Sequence, residues 1–481
     1  MNEPQAQPSL STTRTLKIGL FHLGSGMADV LATGIWNRIM ISDLGFNATP
    51  ISLLAALRYF LAPVGIWAGR QSDRHAIGGY RRLFWIWLGR AMMAISAVGL
   101  GLATASIAQT GIRGEASALQ WAGLAVSMLL FSLGNAFSGG TFLALIYDRS
   151  SEEQRGRSVG IVWTFLITGF AVGGVFFGIF LPSGQTPMDA LSFAPGSVGQ
   201  HFGHGLIRFG PQVILNLFLI AGASLGALWF FSVLGEERRS RGSVDADTHA
   251  EHNASAIADL RLAWGNRQTR FFFWYLALSM AFAFSQDTIL EPFAGDVFGM
   301  AARITTRFSA YWGSMAIIGT IVFLILSRRV KWLNNTRMNW IGVALLIVAF
   351  VMFGLSSLAA IRGLVTPGLI VLGLGLGVWN VGTLGMMMDM SPFGRAGTFL
   401  GFWTLVVTVA RGIGVSGGGV LHDVFQSFSG DPRIAYGAVF IIGVVGLGVS
   451  LIALSRVNVR QFKQEVERAP EPHHVFAAAL D

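Results

Sequence analysis

Twelve runs of mostly apolar residues alternate with short polar stretches along this chain. They fall at about 16–41, 50–69, 83–108, 118–146, 159–181, 211–234, 270–292, 305–327, 338–360, 366–388, 397–421 and 434–455. Runs of that length cross a ~30 Å hydrocarbon core as helices. They show no period-two alternation and exceed a barrel strand, so helices are the only spanning structure left to them. The first ~15 residues are polar and lack an apolar core before a small-residue cleavage site, so no cleavable leader is expected.

The polar stretches divide the chain. A tail over 1–15 precedes six runs (16–234), a polar linker (235–269), six further runs (270–456) and a second tail (457–481). Counting Lys17, Arg270 and Arg456 at the segment ends, the tails and the loops on their side carry 24 of the 34 Lys and Arg residues, and the opposite loops carry six. Positive charge collects on the cytoplasmic side, so both termini are expected there. The linker begins polar and charged, and residues 257–264 read as a short amphipathic helix. Loop 182–210 is rich in Gly, Pro and Ser. Its His201 and His204 have no carboxylate nearby in sequence, which favours a solvated loop over a metal site.

Composition sharpens this picture. Only 12% of residues are charged, against about 25% in soluble domains, while 53% are hydrophobic and the mean hydropathy is +0.58. The 61 glycines suit helices packed closely in lipid. The net charge of +9 is accounted for by loop arginines, so no nucleic-acid partner is expected. With no cysteine there is no thiol nucleophile, disulfide or cysteine-ligated metal. No phosphate loop of the G-x4-G-K-S/T type and no G-x-S-x-G elbow is present, so no enzyme is expected and no catalytic residue is assigned.

The halves repeat. An offset of 253 aligns Asp43-Leu-Gly-Phe with Asp296-Val-Phe-Gly and sets Arg38 on Glu291. The loop opening at Asp148, with Arg155 beyond it, corresponds to the one opening at Asp389, with Arg395 beyond it. Two such halves predict an all-α integral membrane protein with twelve transmembrane helices in two pseudo-symmetric six-helix bundles, a major-facilitator-like fold. The stretch Gly69-Arg70-Gln71-Ser72-Asp73-Arg74 … Gly78-Gly79-Tyr80-Arg81-Arg82 resembles the second-to-third-helix loop of the major facilitator superfamily. Its glycines allow tight turning, and Asp73 is placed to bind neighbouring arginines near helix N-termini, which reads as a latch. Ser327-Arg-Arg-Val-Lys-Trp keeps the positive charge in the second half but loses the Gly and Asp, so a weaker latch is expected there.

Three further stretches narrow the resemblance. GIWNRIMISDLG (34–45), ILEPFAGDVFGM (289–300) and FGRAGTFLGFW (393–403) are similar to the PucC/LhaA family, a branch of the major facilitator superfamily associated with bacteriochlorophyll delivery and light-harvesting complex assembly. The resemblance implies pigment, chlorophyll or bacteriochlorophyll, together with light-harvesting or reaction-centre polypeptides as partners beside membrane lipid. It also implies an inner, intracytoplasmic or thylakoid membrane of a phototroph. Asp29 inside the first run departs from the family's pattern. With a pigment implied, His22 and His422 become candidate magnesium ligands, although a lone helical histidine more commonly bonds a neighbour.

Charges inside spanning segments mark functional sites, because they are costly there. Arg38 and Glu291 either pair across the halves and close the outer face or each bond locally; Asp287 lies one turn deeper than Glu291. Asp29 is expected to be neutralised by Arg58 or Arg411, either as a fixed staple or as a proton-exchanging group. The fourth and tenth runs offer few polar groups: Asn135, Ser138, Thr141, Asn380 and Thr383. That set suits an apolar ligand or none, so an assembly factor is the favoured reading and a proton-coupled transporter of a small amphipathic solute the alternative.

Overall fold

The computed structural model describes residues 10–181, 210–237, 264, 266–330, 332–390 and 396–468. Among them, eleven helices of 22–32 residues are long and apolar enough to cross a membrane. The first half holds α1 (Thr12–Asp43), α2 (Ala48–Arg74), α3 (Leu83–Gln109), α4 (Ala118–Arg149), α5 (Glu152–Gly178) and α6 (Pro211–Val233). The second half holds α7 (Arg267–Ala283), α8 (Leu290–Phe298), α9 (Ala302–Arg329), α10 (Asn335–Leu358), α11 (Val365–Asp389), α12 (Ala396–Ser429) and α13 (Pro432–Ser455). A short α14 (Val459–Arg468) follows. The 182–209 loop with its two histidines, the 257–263 amphipathic stretch and Arg395 lie outside the described residues.

The seventh run, expected as one helix over 270–292, is broken into α7 and α8 by turns across 284–289. Pro292 has no N–H to give to residue 288, and its ring excludes a helical carbonyl there. The intervening Ser285-Gln286-Asp287-Thr288 is polar. A similar effect bends α2 at Leu61, two residues before Pro63. The first run is irregular for another reason: α1 winds as a π-helix over Val30–Ile35 and again over Ile39–Asp43. Such wider turns are rare and collect at functional sites.

Each half has its own apolar core. Phe21, Trp36, Phe142, Phe218 and Trp229 gather in the first, and Phe272, Tyr275, Phe293, Phe350 and Phe440 in the second. Lipid is as apolar as these side chains, so close packing rather than water exclusion holds the helices together. The halves meet where α1 approaches α8, α2 lies along α12, and α5 lies along α9.

Candidate functional site

The seam between the halves is polar at the face opposite the termini. Arg38, 1% exposed, donates to the carbonyl of Met300 in the other half at 2.9 Å and lies 3.0 Å from Asp43. The π-turn over 39–43 makes this last contact possible, because residues five apart stack in such a turn. Gly295 of α8 makes room, since a Cβ there would meet the guanidinium. The direct Arg38–Glu291 pair is therefore not formed. Arg38 is taken by its own helix and by a carbonyl, and Glu291 faces inward beside Gly34 and Ser309.

A second clasp lies beside it. The Asp423 carboxylate at the end of α12 accepts the backbone N–H of Ala48 (2.9 Å) and of Thr49 (2.7 Å), capping α2 from the opposite half. A carboxylate at a helix N-terminus satisfies orphan donors and complements the dipole. Ser52 donates to the carbonyl of Ser416 at 3.3 Å, continuing the same seam. Nothing in the sequence pattern marked Asp423; it belongs to the second half and acts on the first.

Deeper in the membrane, four charges form two ion pairs. Arg58 of α2 bonds Asp29 of α1, and Arg411 of α12 meets Asp287, in the α7–α8 break, at 3.0 Å. Of the two partners open to Asp29, Arg58 is the one used. Tyr59 joins the pairs. Its hydroxyl accepts from Arg58 at 2.7 Å, and Arg411 lies 5.1 Å from its ring centroid and 4.1 Å from that of Phe284. Aromatic faces stabilise cations in this way where water is absent. Between α1, the α7–α8 break and α9 lies a cavity of about 30 Å³, bordered by both pairs and by Glu291, with room for on the order of two waters.

The face carrying the termini is built differently. Arg82, at the start of α3, lies 2.5 Å from Asp73 and 3.0 Å from Asp148. The Asp73 contact is the one the latch reading expected, and Asp148 extends it to link α2, α3 and α4. Arg81 is 4.0 Å from the same Asp73. Two details of that reading change. Gly69 lies inside α2, and the turn uses Gly78 and Gly79 at φ 64° and 86°, where a side chain is disfavoured. The acid at the α3 N-terminus is Glu237, from the start of the linker, and not Asp73. Its carboxylate accepts the backbone N–H of Arg81, Arg82 and Leu83 at 2.7–3.3 Å. Arg74 is exposed, and Arg155 lies over the Tyr147 ring at 5.8 Å. In the second half Asn335 donates to Asp389 at 2.8 Å.

His22 packs against the rings of Phe142 (4.8 Å) and Trp163 (5.8 Å), and its Nδ1 has no hydrogen-bond partner. His422 is held through Nδ1 by Asp423 at 3.0 Å, leaving Nε2 buried and unbonded. Each ring thus keeps one unbonded nitrogen. Among the described residues no group of three or more His, Cys, Asp or Glu side chains is placed to hold a metal ion.

The fold has parallels among solved structures. The structure of a bacterial homologue of the human lysosomal transporter Spinster, inward-facing and unoccupied, superposes with a TM-score of 0.68 at 17% identity, covering 96% of this chain and 98% of that one. An inward-facing bacterial homologue of the iron transporter ferroportin gives 0.62 at 15% identity, covering 93% and 100%. The architecture is therefore that of major-facilitator-type transporters. In sequence, the chain is 29% identical over 443 residues to the Bacteriochlorophyll synthase 44.5 kDa chain of Rhodobacter capsulatus, covering 90% of this chain and 92% of the relative. It is 27% identical over 436 residues to Protein PucC of Rhodovulum sulfidophilum, covering 88% and 87%. Residues 35–462, from the end of the first π-turn of α1 into α14, match the family described as PUCC protein, and the chain belongs to that family.

Proposed function

We propose that this integral membrane protein is an assembly factor for photosynthetic antenna complexes, which binds (bacterio)chlorophyll and presents it to light-harvesting polypeptides. It does so without catalytic turnover, from a membrane in which both termini are cytoplasmic. Family membership supports the process. The observation that favours assembly over solute transport is the fate of polar groups on the helices that would line a central path. Ser138 and Thr141 of α4 donate to carbonyls of their own helix. Thr383 of α11 donates to Asn339, which also accepts from Tyr275, itself bonded by Trp379. Of the five polar groups on these two helices, that leaves the amides of Asn135 and Asn380 for a ligand, beside apolar surface. A polar solute needs convergent free donors and acceptors near the midplane. A macrocycle with a hydrocarbon tail does not, and the unbonded nitrogens of His22 and His422 suit a magnesium ligand.

The buried pairs Asp29–Arg58 and Asp287–Arg411 favour the second reading, proton-coupled transport of a small amphipathic solute. Isolation from a phototrophic host in mild detergent separates the two. Assembly predicts pigment absorbance and antenna polypeptides in the purified fraction, with less pigment bound in His22→Ala or His422→Ala. Recovery without pigment or polypeptide, together with proton-driven uptake of a solute into vesicles, would overturn it.

A further inference from the structure

Glu291 is 4% exposed and faces the cavity between the halves. Its carboxylate takes one hydrogen bond, from its own backbone N–H, and none from another residue. The other charges around it are matched: Asp29 with Arg58, Asp287 with Arg411, and Asp43 with Arg38. Arg38 and Asp287 both act on Glu291 electrostatically, and each already has its own partner. With Glu291 ionised, the cluster therefore carries a formal charge of −1. A further buried cation, Arg90, lies inside the first bundle over the rings of Phe21 (4.3 Å) and Trp229 (4.7 Å), and is not among the cavity's lining residues.

The backbone around this carboxylate is irregular on both sides. Val30, Thr33 and Gly34 come from the first π-turn of α1, and Gln286 and Asp287 from the α7–α8 break. Interrupted helices at membrane depth are the places where carbonyl oxygens leave the helical ladder and coordinate ions. Ser309 of α9 adds a hydroxyl. The Arg411 guanidinium and the Gln286 amide also line the cavity, each held by Asp287, so the oxygens of Glu291 and Ser309 are the ones left to a cation, in a space of about 30 Å³. Hard oxygen donors select hard cations. One unmatched charge suits a monovalent ion, because a divalent ion would leave a positive excess buried.

We infer that the cavity at Glu291 is a binding site for a monovalent metal cation of sodium's size, held between the π-turn of α1 and the break of the seventh segment. The site joins the two halves, so its occupant stabilises the arrangement closed at the face opposite the termini. This holds whether the protein assembles complexes or moves a solute.

The test is thermal unfolding of the purified full-length chain in detergent, in NaCl, KCl and choline chloride at equal ionic strength, with binding of radiolabelled sodium measured in parallel. A ligand that binds only the folded state raises Tm saturably with concentration. Sodium is expected to raise Tm above choline, and Glu291→Gln to abolish both the rise and the bound label. Glu115→Gln, in the exposed loop before α4, is expected to keep both. Should Glu291→Gln not fold, Ser309→Ala decides, with an expected loss of affinity of about tenfold or more, which corresponds to 1.4 kcal/mol or more. No sodium-specific rise in the unaltered protein, an undiminished rise in Glu291→Gln or Ser309→Ala, or a response to acidification alone would each overturn the site.

Discussion

The terminal-face joints of the two halves occupy equivalent places and are held by different forces. The offset of 253 that relates the halves carries Arg82 onto Asn335. Arg82 reaches Asp148 at the end of α4, and Asn335 reaches Asp389 at the end of α11. The helix-end acid survives in both. The donor at the repeat position is a guanidinium bound to two acids in the first half and a neutral amide in the second. The geometry of a helix junction therefore persists when the charge of that donor does not. What the charge adds is strength and a third helix. Arg82 also holds Asp73 of α2, and Glu237 fastens the linker to the same helix start.

The deep pairs show the other side of the contrast: here both halves keep full charges. Breaking one is expected to have an effect as large as any. Arg58→Met leaves the half-buried Asp29 without its cation and should destabilise the fold by about 3 kcal/mol, read from detergent-solubilised unfolding. The double variant Asp29→Leu/Arg58→Met should recover most of that loss. A double variant no better than the single would show that the pair is not the unit. Next come the terminal joints. Arg82→Gln should cost about 3 kcal/mol as bonds to two acids are lost, and Asn335→Ala about 1.5 kcal/mol as a single amide–carboxylate bond is. Equal losses would erase the difference between the halves. Raised salt should weaken the first joint, since Arg82 pairs with two acids there and Asp73 is exposed.

The clasp made by Asp423 gives a smaller effect with a conformational readout. Asp423→Ala removes an acceptor from two N–H groups of α2 and should cost about 1 kcal/mol. It should also raise the labelling of cysteines placed along α2 and α12 at the face opposite the termini. The chain has no native cysteine, so such labels report on single sites. The smallest effect is expected at Asp431, which caps α13 from the loop before it and bonds Arg433. The Arg433 side chain, above all, holds this carboxyl below its ordinary value. Its contribution is therefore present above the ordinary carboxylate range and is lost as pH falls through the lowered value. Asp431→Asn should remove that part of the acid dependence, by a few tenths of a kcal/mol at an exposed site.

Much of the fold was legible because lipid imposes it. Apolar runs of spanning length, the twofold repetition and loop charge depend on composition over long windows, which local packing does not alter. The family was legible too, in short motifs around Arg38 and Glu291. The terminal latch was foreseen in Asp73 and its neighbouring arginines, because they lie in one loop between helix ends; that Arg82 also reaches Asp148 was not. Pairing inside the membrane was only half legible. Arg58 and Arg411 were both available to Asp29, and choosing between them requires the bend of α2 and the break of the seventh segment. Glu237 and Asp423 gave no signal, since each caps a helix far away in sequence.

The chain's sequence by itself determined that it spans the membrane in two related halves, that a few charges lie buried within them, and which family it belongs to. Only the tertiary structure decided which charges meet. Arg38 turned to Asp43 because a π-turn stacks residues five apart, and to Met300 because Gly295 leaves space for its guanidinium. That left Glu291 facing a cavity without a counter-charge. Opposite positions in a repeat predict that two groups come near each other; local winding and the room left by a glycine decide whether they touch.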